Sequence, residues 1–313
     1  MAASTRPSGR DPAPLLVPDR KTTSLFCFML IYPAGRSLER ALVHQHLEPK
    51  HGMLAGCDEF AVYSNESGVM RLSPNRSVAF SKAVNGPLDV PRGGRYNVAL
   101  LAPLYRQVWH TIFRDRRYVN TAWTVKLDPD TVFFAERLRR QLAFLRPEAT
   151  PLGLYLKNGG PLASKFHGPI LVLSRAAVAT FAARSEVCDH DAARLDLDKG
   201  EDWYLHICMS RLKVPCTSMP FLLRQVATPA GCASGDFPNG EKFAAFHPLK
   251  RPDAFATCLH RAVAGRAPRP KKLARRKGGP ARPRAARYAP QPRRAQQRPA
   301  PGGWAARLFS AHR

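Results

Sequence analysis

Several common functional signatures are missing from this chain of 313 residues. No two of its seven cysteines form a CxxC pair, so a zinc ribbon is not expected. A G-x-G-x-x-G dinucleotide fingerprint and a Walker A loop are both absent. The apolar run LFCFMLI at residues 25–31 is too short to span a bilayer, and the polar N-terminus is not a signal peptide. The sequence therefore predicts a soluble protein, or one that has lost an upstream anchor.

Acidic residues are absent from the C-terminal segment. Residues 261–313 contain sixteen Lys and Arg and no Asp or Glu, which leaves +10 of the formal +26 for the rest of the chain. The segment is rich in Pro, Ala and Gly, so it is predicted to be disordered, as is the segment 1–21. A nucleic-acid or anionic-membrane contact is one interpretation. A solvated tail without a partner, or a mispredicted C-terminus from GC-rich codons, is the other. The folded domain is expected at 22–260.

The cysteines are unevenly distributed. Cys27 lies in an apolar strand pattern and is interpreted as a buried hydrophobic side chain. Five cysteines follow residue 180, where the pattern is rich in loops; these would suit disulfides in a secretory lumen, although pairing cannot be deduced from sequence. The odd total requires at least one free thiol or an intermolecular bond.

The order of predicted elements favours an α/β fold. In the first half, strands and helices alternate at 24–31, 37–50, 57–64, 98–113, 122–127 and 136–144, which is typical of a mostly parallel, doubly wound sheet. The second half predicts strands at 153–157 and 170–173, helices at 175–183 and 203–212, and a polar loop at 189–199. Trp109 falls on the apolar face of its helix and is predicted to lie in the core.

Two carboxylates follow the strand predicted at 122–127. Asp128 and Asp130 flank Pro129, and an Asp-Pro step favours a turn over a helix. Ligands of open α/β sheets bind outside the carboxyl ends of the strands, and Mg²⁺ and Mn²⁺ prefer oxygen ligands. The triplet is thus a candidate metal site. A simple Asx-type turn is the alternative.

Four features in order resemble a known family. They are the strand that ends in DPD, GPILVLSR at 168–175, GEDWYL at 200–205 and FHPLK at 246–250. The pattern resembles the GT-A glycosyltransferases, in particular the Fringe and β-1,3-galactosyltransferase group, over roughly residues 22–260. The resemblance implies a GT-A-like, Rossmann-like fold with a mostly parallel sheet flanked by helices. Pro129 stands where the family has the middle Asp of its triad.

The resemblance also implies a role for each matching residue. Asp130 would ligate a divalent cation directly, Asp128 would bind it through water or contact the nucleotide ribose, and His247 would be the third protein ligand. Asp202, or Glu201 beside it, would be the general base that takes a proton from the acceptor hydroxyl. An ordinary loop position for His247 is the alternative, as is a simple helix-dipole role for the acidic pair.

The implied cofactor is Mn²⁺ or Mg²⁺, and the implied donor is a nucleotide sugar, here expected to be UDP-linked. Lys126, His167 and Gly168 are further candidates for contacts with the donor. The enzyme would be an inverting hexosyltransferase with a carbohydrate or protein hydroxyl as acceptor. A non-catalytic nucleotide-sugar-binding relative and a nucleic-acid-associated protein that uses its basic tail are the alternatives. The family resemblance suggests the Golgi or secretory lumen, whereas the lack of a visible signal or anchor leaves the cytoplasm open.

Overall fold

The computed structural model describes residues 19–32, 37–48, 53–93, 97–159, 166–194, 200–232 and 243–263. The basic tail and most of the N-terminal segment, both predicted to be disordered, lie outside the described residues. The domain boundaries proposed from the sequence therefore stay predictions.

Thirteen short strands are found among the described residues. They are β1 (Leu25–Leu30), β2 (Glu59–Ser64), β3 (Gly68–Ser73), β4 (Arg76–Lys82), β5 (Arg92–Gly93), β6 (Val98–Ala99), β7 (Trp123–Leu127), β8 (Val132–Phe133), β9 (Tyr155–Lys157), β10 (Ile170–Ser174), β11 (Cys216–Ser218), β12 (Leu223–Gln225) and β13 (Ala245–His247).

The same part of the chain forms eight α-helices. They are α1 (Arg20–Thr23), α2 (Ser37–His46), α3 (Ala102–Asp115), α4 (Ala135–Leu142), α5 (Arg175–Ala183), α6 (Ser185–Arg194), α7 (Glu201–Arg211) and α8 (Pro252–Val263). None of these described helices combines the length and the apolar character that crossing a bilayer would require.

Eight strands form one central sheet in the order β11-β9-β10-β7-β1-β2-β4-β3. Four of its seven pairings are parallel, and β10 is antiparallel to both of its neighbours. A smaller sheet has the order β12-β13-β8. The predicted class, a mostly parallel α/β sheet flanked by helices, is confirmed.

Strand β1 is buried on both faces, as its unbroken apolar sequence requires. Successive side chains of a strand point to opposite faces, so Phe26 and Phe28 enter one core while Leu25 and Cys27 enter the other. The first core is shared with α3, α5 and α7, and the second with α2 and α4. Trp109 of α3 is 2% exposed and its ring lies 5.1 Å from that of Phe28, which confirms its predicted core position.

The prediction of a polar loop at 189–199 is wrong for residues 189–194. Residues up to Arg194 belong to α6, and 195–199 lie outside the described residues. Two tertiary contacts explain a helix with so little apolar periodicity. Cys188 is bonded to Cys208 of α7, and the Asp189 carboxylate accepts hydrogen bonds from Arg106 at 2.8 Å and Tyr204 at 3.1 Å.

The interpretation of Cys27 as a plain hydrophobic residue is also wrong. Cys27 is buried, but its sulfur is bonded to Cys57, 30 residues away. Two further disulfides join Cys188 to Cys208 and Cys232 to Cys258. The odd thiol required by the count is Cys216, which is exposed at the start of β11.

The Cys232–Cys258 disulfide should be a main support of the last described segment. It closes a loop of 26 residues, so replacing both cysteines by Ala is expected to lower the free energy of unfolding by about 3 kcal/mol. Guanidinium denaturation of the oxidised protein would measure the loss. Cys216→Ala is the matched control and should leave the midpoint unchanged. Equal midpoints for the double variant and the wild type would contradict the assigned bond.

Candidate functional site

The DPD loop lies where the central strand β7 ends. The backbone N–H of Asp128 donates a hydrogen bond to the carbonyl of Pro169 at 3.0 Å. The N–H of Thr131 donates to the carbonyl of Asp128 at 3.1 Å. The first bond extends the antiparallel pairing of Leu127 with Ile170 by one residue. The two carboxylates are therefore fixed at the carboxyl end of β7, as the sequence predicted.

His247 reaches the same place through the smaller sheet. Strand β8 follows the DPD loop directly and pairs with β13, with Val132 opposite Phe246. The next residue, His247, consequently lies beside Asp130, and its Nε2 is 3.4 Å from Asp130 Oδ1. A hydrogen bond from the Leu249 N–H to the Asp130 carbonyl, 2.9 Å, closes the arrangement.

Asp128, Asp130 and His247 form a donor set that fits a divalent cation. Each offers one ligand atom, and these atoms all lie within 4.8 Å of one another. Ligand atoms on opposite sides of an ion with bonds of about 2.2 Å would be roughly 4.4 Å apart, so small adjustments would suffice to close the site. Two carboxylate oxygens and one imidazole nitrogen suit Mn²⁺ or Mg²⁺, and the imidazole favours Mn²⁺ somewhat.

The two aspartates differ in their electrostatic surroundings. Burial would raise the pKa of Asp130, but the hydrogen bond and charge of His247, with the charge of Lys250, hold it below its ordinary value. Burial raises the pKa of Asp128. The ammonium of Lys126 lowers this pKa, whereas the negative charges of Glu201 and Asp130 raise it further, and the net shift is upward. A bound cation would relieve the repulsion between the carboxylates.

Lys126 is fully buried beneath this site. Its Nζ donates to Asp128 at 2.5 Å, to Glu201 at 2.8 Å and to the Gly168 carbonyl at 2.9 Å. An ammonium has three donors, so these contacts use all of them. The ring of Tyr105 covers the same ammonium at 4.4 Å. The structure thus gives Lys126 internal partners, and its predicted contact with the donor stays a prediction.

Glu201 and Asp202 open α7 but have different environments. Glu201 is 7% exposed and paired with Lys126. Asp202 is half-buried and accepts hydrogen bonds from the backbone N–H groups of Gly168 at 3.1 Å and Trp203 at 2.7 Å. Burial, with the charge of Glu201, raises the pKa of Asp202 to about 6. Of the two candidates, Asp202 has the accessible carboxylate with a pKa suited to proton transfer.

Gly168 and His167 connect these groups. A Cβ on Gly168 would lie 2.3 Å from Glu201 Oε1, so any larger residue there would displace the Glu201 carboxylate from its contact with Lys126. The backbone of His167 is clamped by the buried Asn158, whose amide accepts from the His167 N–H at 2.7 Å and donates to its carbonyl at 2.6 Å. Sequence reasoning missed Asn158, because nothing local distinguishes it from a loop asparagine.

His46 is a second residue that sequence reasoning missed. It falls within the helix predicted at 37–50, and its Nε2 lies 3.0 Å from the carbonyl of Pro129, between the two aspartates. Burial lowers the pKa of His46 to about 4 despite the opposing effects of the Pro129 carbonyl and Asp130. The imidazole is therefore neutral at physiological pH, and Nε2–H can donate to the loop. The partners are 83 residues apart, so no local pattern signals them.

A cleft of about 670 Å³ opens beside the DPD loop. Asp128, Pro129 and Asp130 form one wall. The lining also includes the basic residues Arg92 and Lys250, the acidic residues Glu39 and Asp89, and the aromatic residues Tyr32 and Tyr105. A cation bound at the aspartates, together with Arg92 and Lys250, would offset these acidic residues and suit an anionic ligand such as a diphosphate.

No protein-family model matches the chain, and no curated protein does. Among solved structures, the chain is similar to a glycosyltransferase involved in the glycosylation of the major capsid of PBCV-1, with a TM-score of 0.44 and 12% identity. That match covers 76% of this chain and 99% of the other. A likeness at this level is too weak to assign an activity.

The three contacts of Lys126 lead to a stability prediction. Lys126→Met leaves Asp128 and Glu201 without their counter-charge, and losing one partner of a buried ion pair typically costs about 3–5 kcal/mol. Guanidinium denaturation at pH 7.5 would measure the change.

Adding Glu201→Gln to Lys126→Met removes one of the two stranded charges. The double variant should therefore recover part of the lost stability, although Glu201→Gln alone should be destabilising. A loss below about 1 kcal/mol for Lys126→Met would show that the pairing contributes little.

Proposed function

We propose that the protein is a metal-dependent, inverting glycosyltransferase of the GT-A type. It would move a hexose from a nucleotide sugar to a carbohydrate or protein hydroxyl. The observation that supports this most strongly is the meeting of Asp128, Asp130 and His247 from two distant parts of the chain. A donor set of this kind beside a cleft that also carries Arg92 and Lys250 suits a sugar nucleotide, whose diphosphate binds through a divalent cation.

The motifs that resemble the glycosyltransferases come together in space. Strand β10 runs antiparallel to β7, so its first residue, Ile170, lies opposite Leu127, just before the DPD loop. The start of α7 lies beside these strands, because the Gly168 N–H donates a hydrogen bond to Asp202. Strand β13 places His247 next to Asp130. Four elements scattered over the sequence thus border one site, which supports a common function for them.

The donor would occupy the cleft beside the DPD loop. The cation held there would neutralise the charge that develops on the leaving nucleoside diphosphate. Arg92 and Lys250 line the same cleft and would add positive charge near the phosphates. The UDP-linked form of the donor rests on the family resemblance.

Asp202 would act as the general base. Its carboxylate is held by two backbone N–H groups, so its position is fixed while it stays partly exposed. With a pKa of about 6, it is ionised at neutral pH and still basic enough to accept the proton of an acceptor hydroxyl. Glu201, paired with Lys126, would keep the loop in place instead.

The disulfides bear on the compartment. Three disulfides within the described residues favour an oxidising environment such as the secretory lumen, where Golgi members of the resembled group act. We propose that compartment for this protein.

Metal-dependent nucleotide binding is the first test. UDP, the expected nucleotide, and then GDP are titrated into the full chain by calorimetry. UDP should bind in the presence of Mn²⁺ and should not bind in EDTA. Asp130→Ala should abolish the metal-dependent part because it removes a direct ligand. Asp253→Ala, on an exposed carboxylate of α8, is the matched control and should bind like the wild type. Full binding by Asp130→Ala would contradict the metal assignment.

Transfer and binding can be separated in the same preparation. A panel of UDP-sugars assayed for UDP release identifies a donor if the chain is catalytic. Tight metal-dependent binding of UDP without any turnover would instead favour the non-catalytic relative.

The role of Asp202 predicts a pH profile. A base must be deprotonated, so kcat/KM should rise with pH through about 6 and level off above it. Asp202→Asn should retain UDP binding, lose transfer by about 10²–10⁴-fold and lose the limb near pH 6. Equal loss of binding and transfer would mean that Asp202 has a structural role.

A further inference from the structure

We infer that Gln225 is a positioning residue of the metal site, which holds the His247 ring so that Nε2 faces Asp130 and the cation. The inference rests on the proposed metal dependence and extends it to a residue outside the resembled motifs.

The strand pairing brings the two side chains together. Strands β12 and β13 are parallel, with Gln225 opposite His247, and the Val226 N–H donates to the His247 carbonyl at 2.8 Å. Neighbouring side chains at one register position point to the same face of a sheet. Gln225 Oε1 accordingly lies 3.2 Å from His247 Nδ1. On the other side of the ring, Nε2 lies 3.4 Å from Asp130 Oδ1.

The hydrogen bond selects one tautomer of the imidazole. A neutral imidazole has one N–H and one lone pair, and an amide oxygen can only accept. With Nδ1–H donating to Gln225, displacement of the Nε2 proton that is shared with Asp130 would leave the lone pair on Nε2, which is the nitrogen next to the aspartates. Without that acceptor, the Asp130 carboxylate would favour a proton on Nε2, and the ring would present a donor where a cation needs a lone pair.

The exposure of Gln225 makes the inference testable. Its side chain is exposed at the end of a three-residue strand, so its replacement should leave the core intact. Metal-ligating histidines commonly depend on such an acceptor, and its loss typically weakens metal binding 10–100-fold.

The experiment measures Mn²⁺ affinity of the full chain, without nucleotide, by calorimetry and by the paramagnetic resonance signal of free Mn²⁺. Gln225→Leu removes the acceptor and should weaken binding about 10–100-fold, whereas Gln225→Glu retains it and should stay within about threefold of the wild type or bind more tightly. Gln107→Leu is the matched control. It makes the same change on α3, where the side-chain oxygen accepts from the Asn85 N–H, and should bind like the wild type.

Thermal unfolding separates positioning from folding. In EDTA, Gln225→Leu should melt with the wild type, while its stabilisation by Mn²⁺ should be smaller because that shift follows affinity. Equal Mn²⁺ affinities for Gln225→Leu and the wild type would overturn the inference alone, as would a Gln225→Glu variant as weak as Gln225→Leu. Absence of Mn²⁺ binding by the wild type would overturn the metal site as well.

Discussion

The buried ammonium of Lys126 is the interaction on which the rest of the site depends. It joins the strand β7, the turn at Gly168 and the start of α7, three segments that are far apart in sequence. Without a positive charge at that point, the carboxylates of Asp128 and Glu201 would be left unbalanced in a poorly hydrated space. The position of Asp202 follows from the same contact, because the residue before it is fixed.

The second constraint is that the two sheets position different residues of the same site. The large sheet provides a rigid platform, and its central strand carries two of the proposed cation ligands on the loop that follows it. The small sheet brings His247, the third proposed ligand, to that loop, since β8 is both the continuation of the loop and the partner of β13. One side of the cation site is therefore set by the core, and the other by three short strands.

The sequence predicts the elements that depend on local patterns, but it does not predict the contacts between distant segments. The apolar run at 122–127, the Asp-Pro turn and the helical pattern at 175–183 predict β7, the DPD loop and α5 closely. Contacts between distant segments have no such signal. The apolar pattern around Cys27 conceals its bond to Cys57, and α6 depends on partners in other helices rather than on its own periodicity. His46 and Gln225 were missed for the same reason, because their importance comes from their neighbours in space.

The position of His247 along the chain has a consequence for biosynthesis. A nascent chain that has not yet emerged past β13 already contains the aspartates, the buried lysine and the acidic start of α7, but it lacks the imidazole. The segment that carries this ligand is flanked by Cys232 and Cys258, which are joined to each other. The candidate cation site would therefore be complete only once His247, which lies in the C-terminal third of the chain, has been translated.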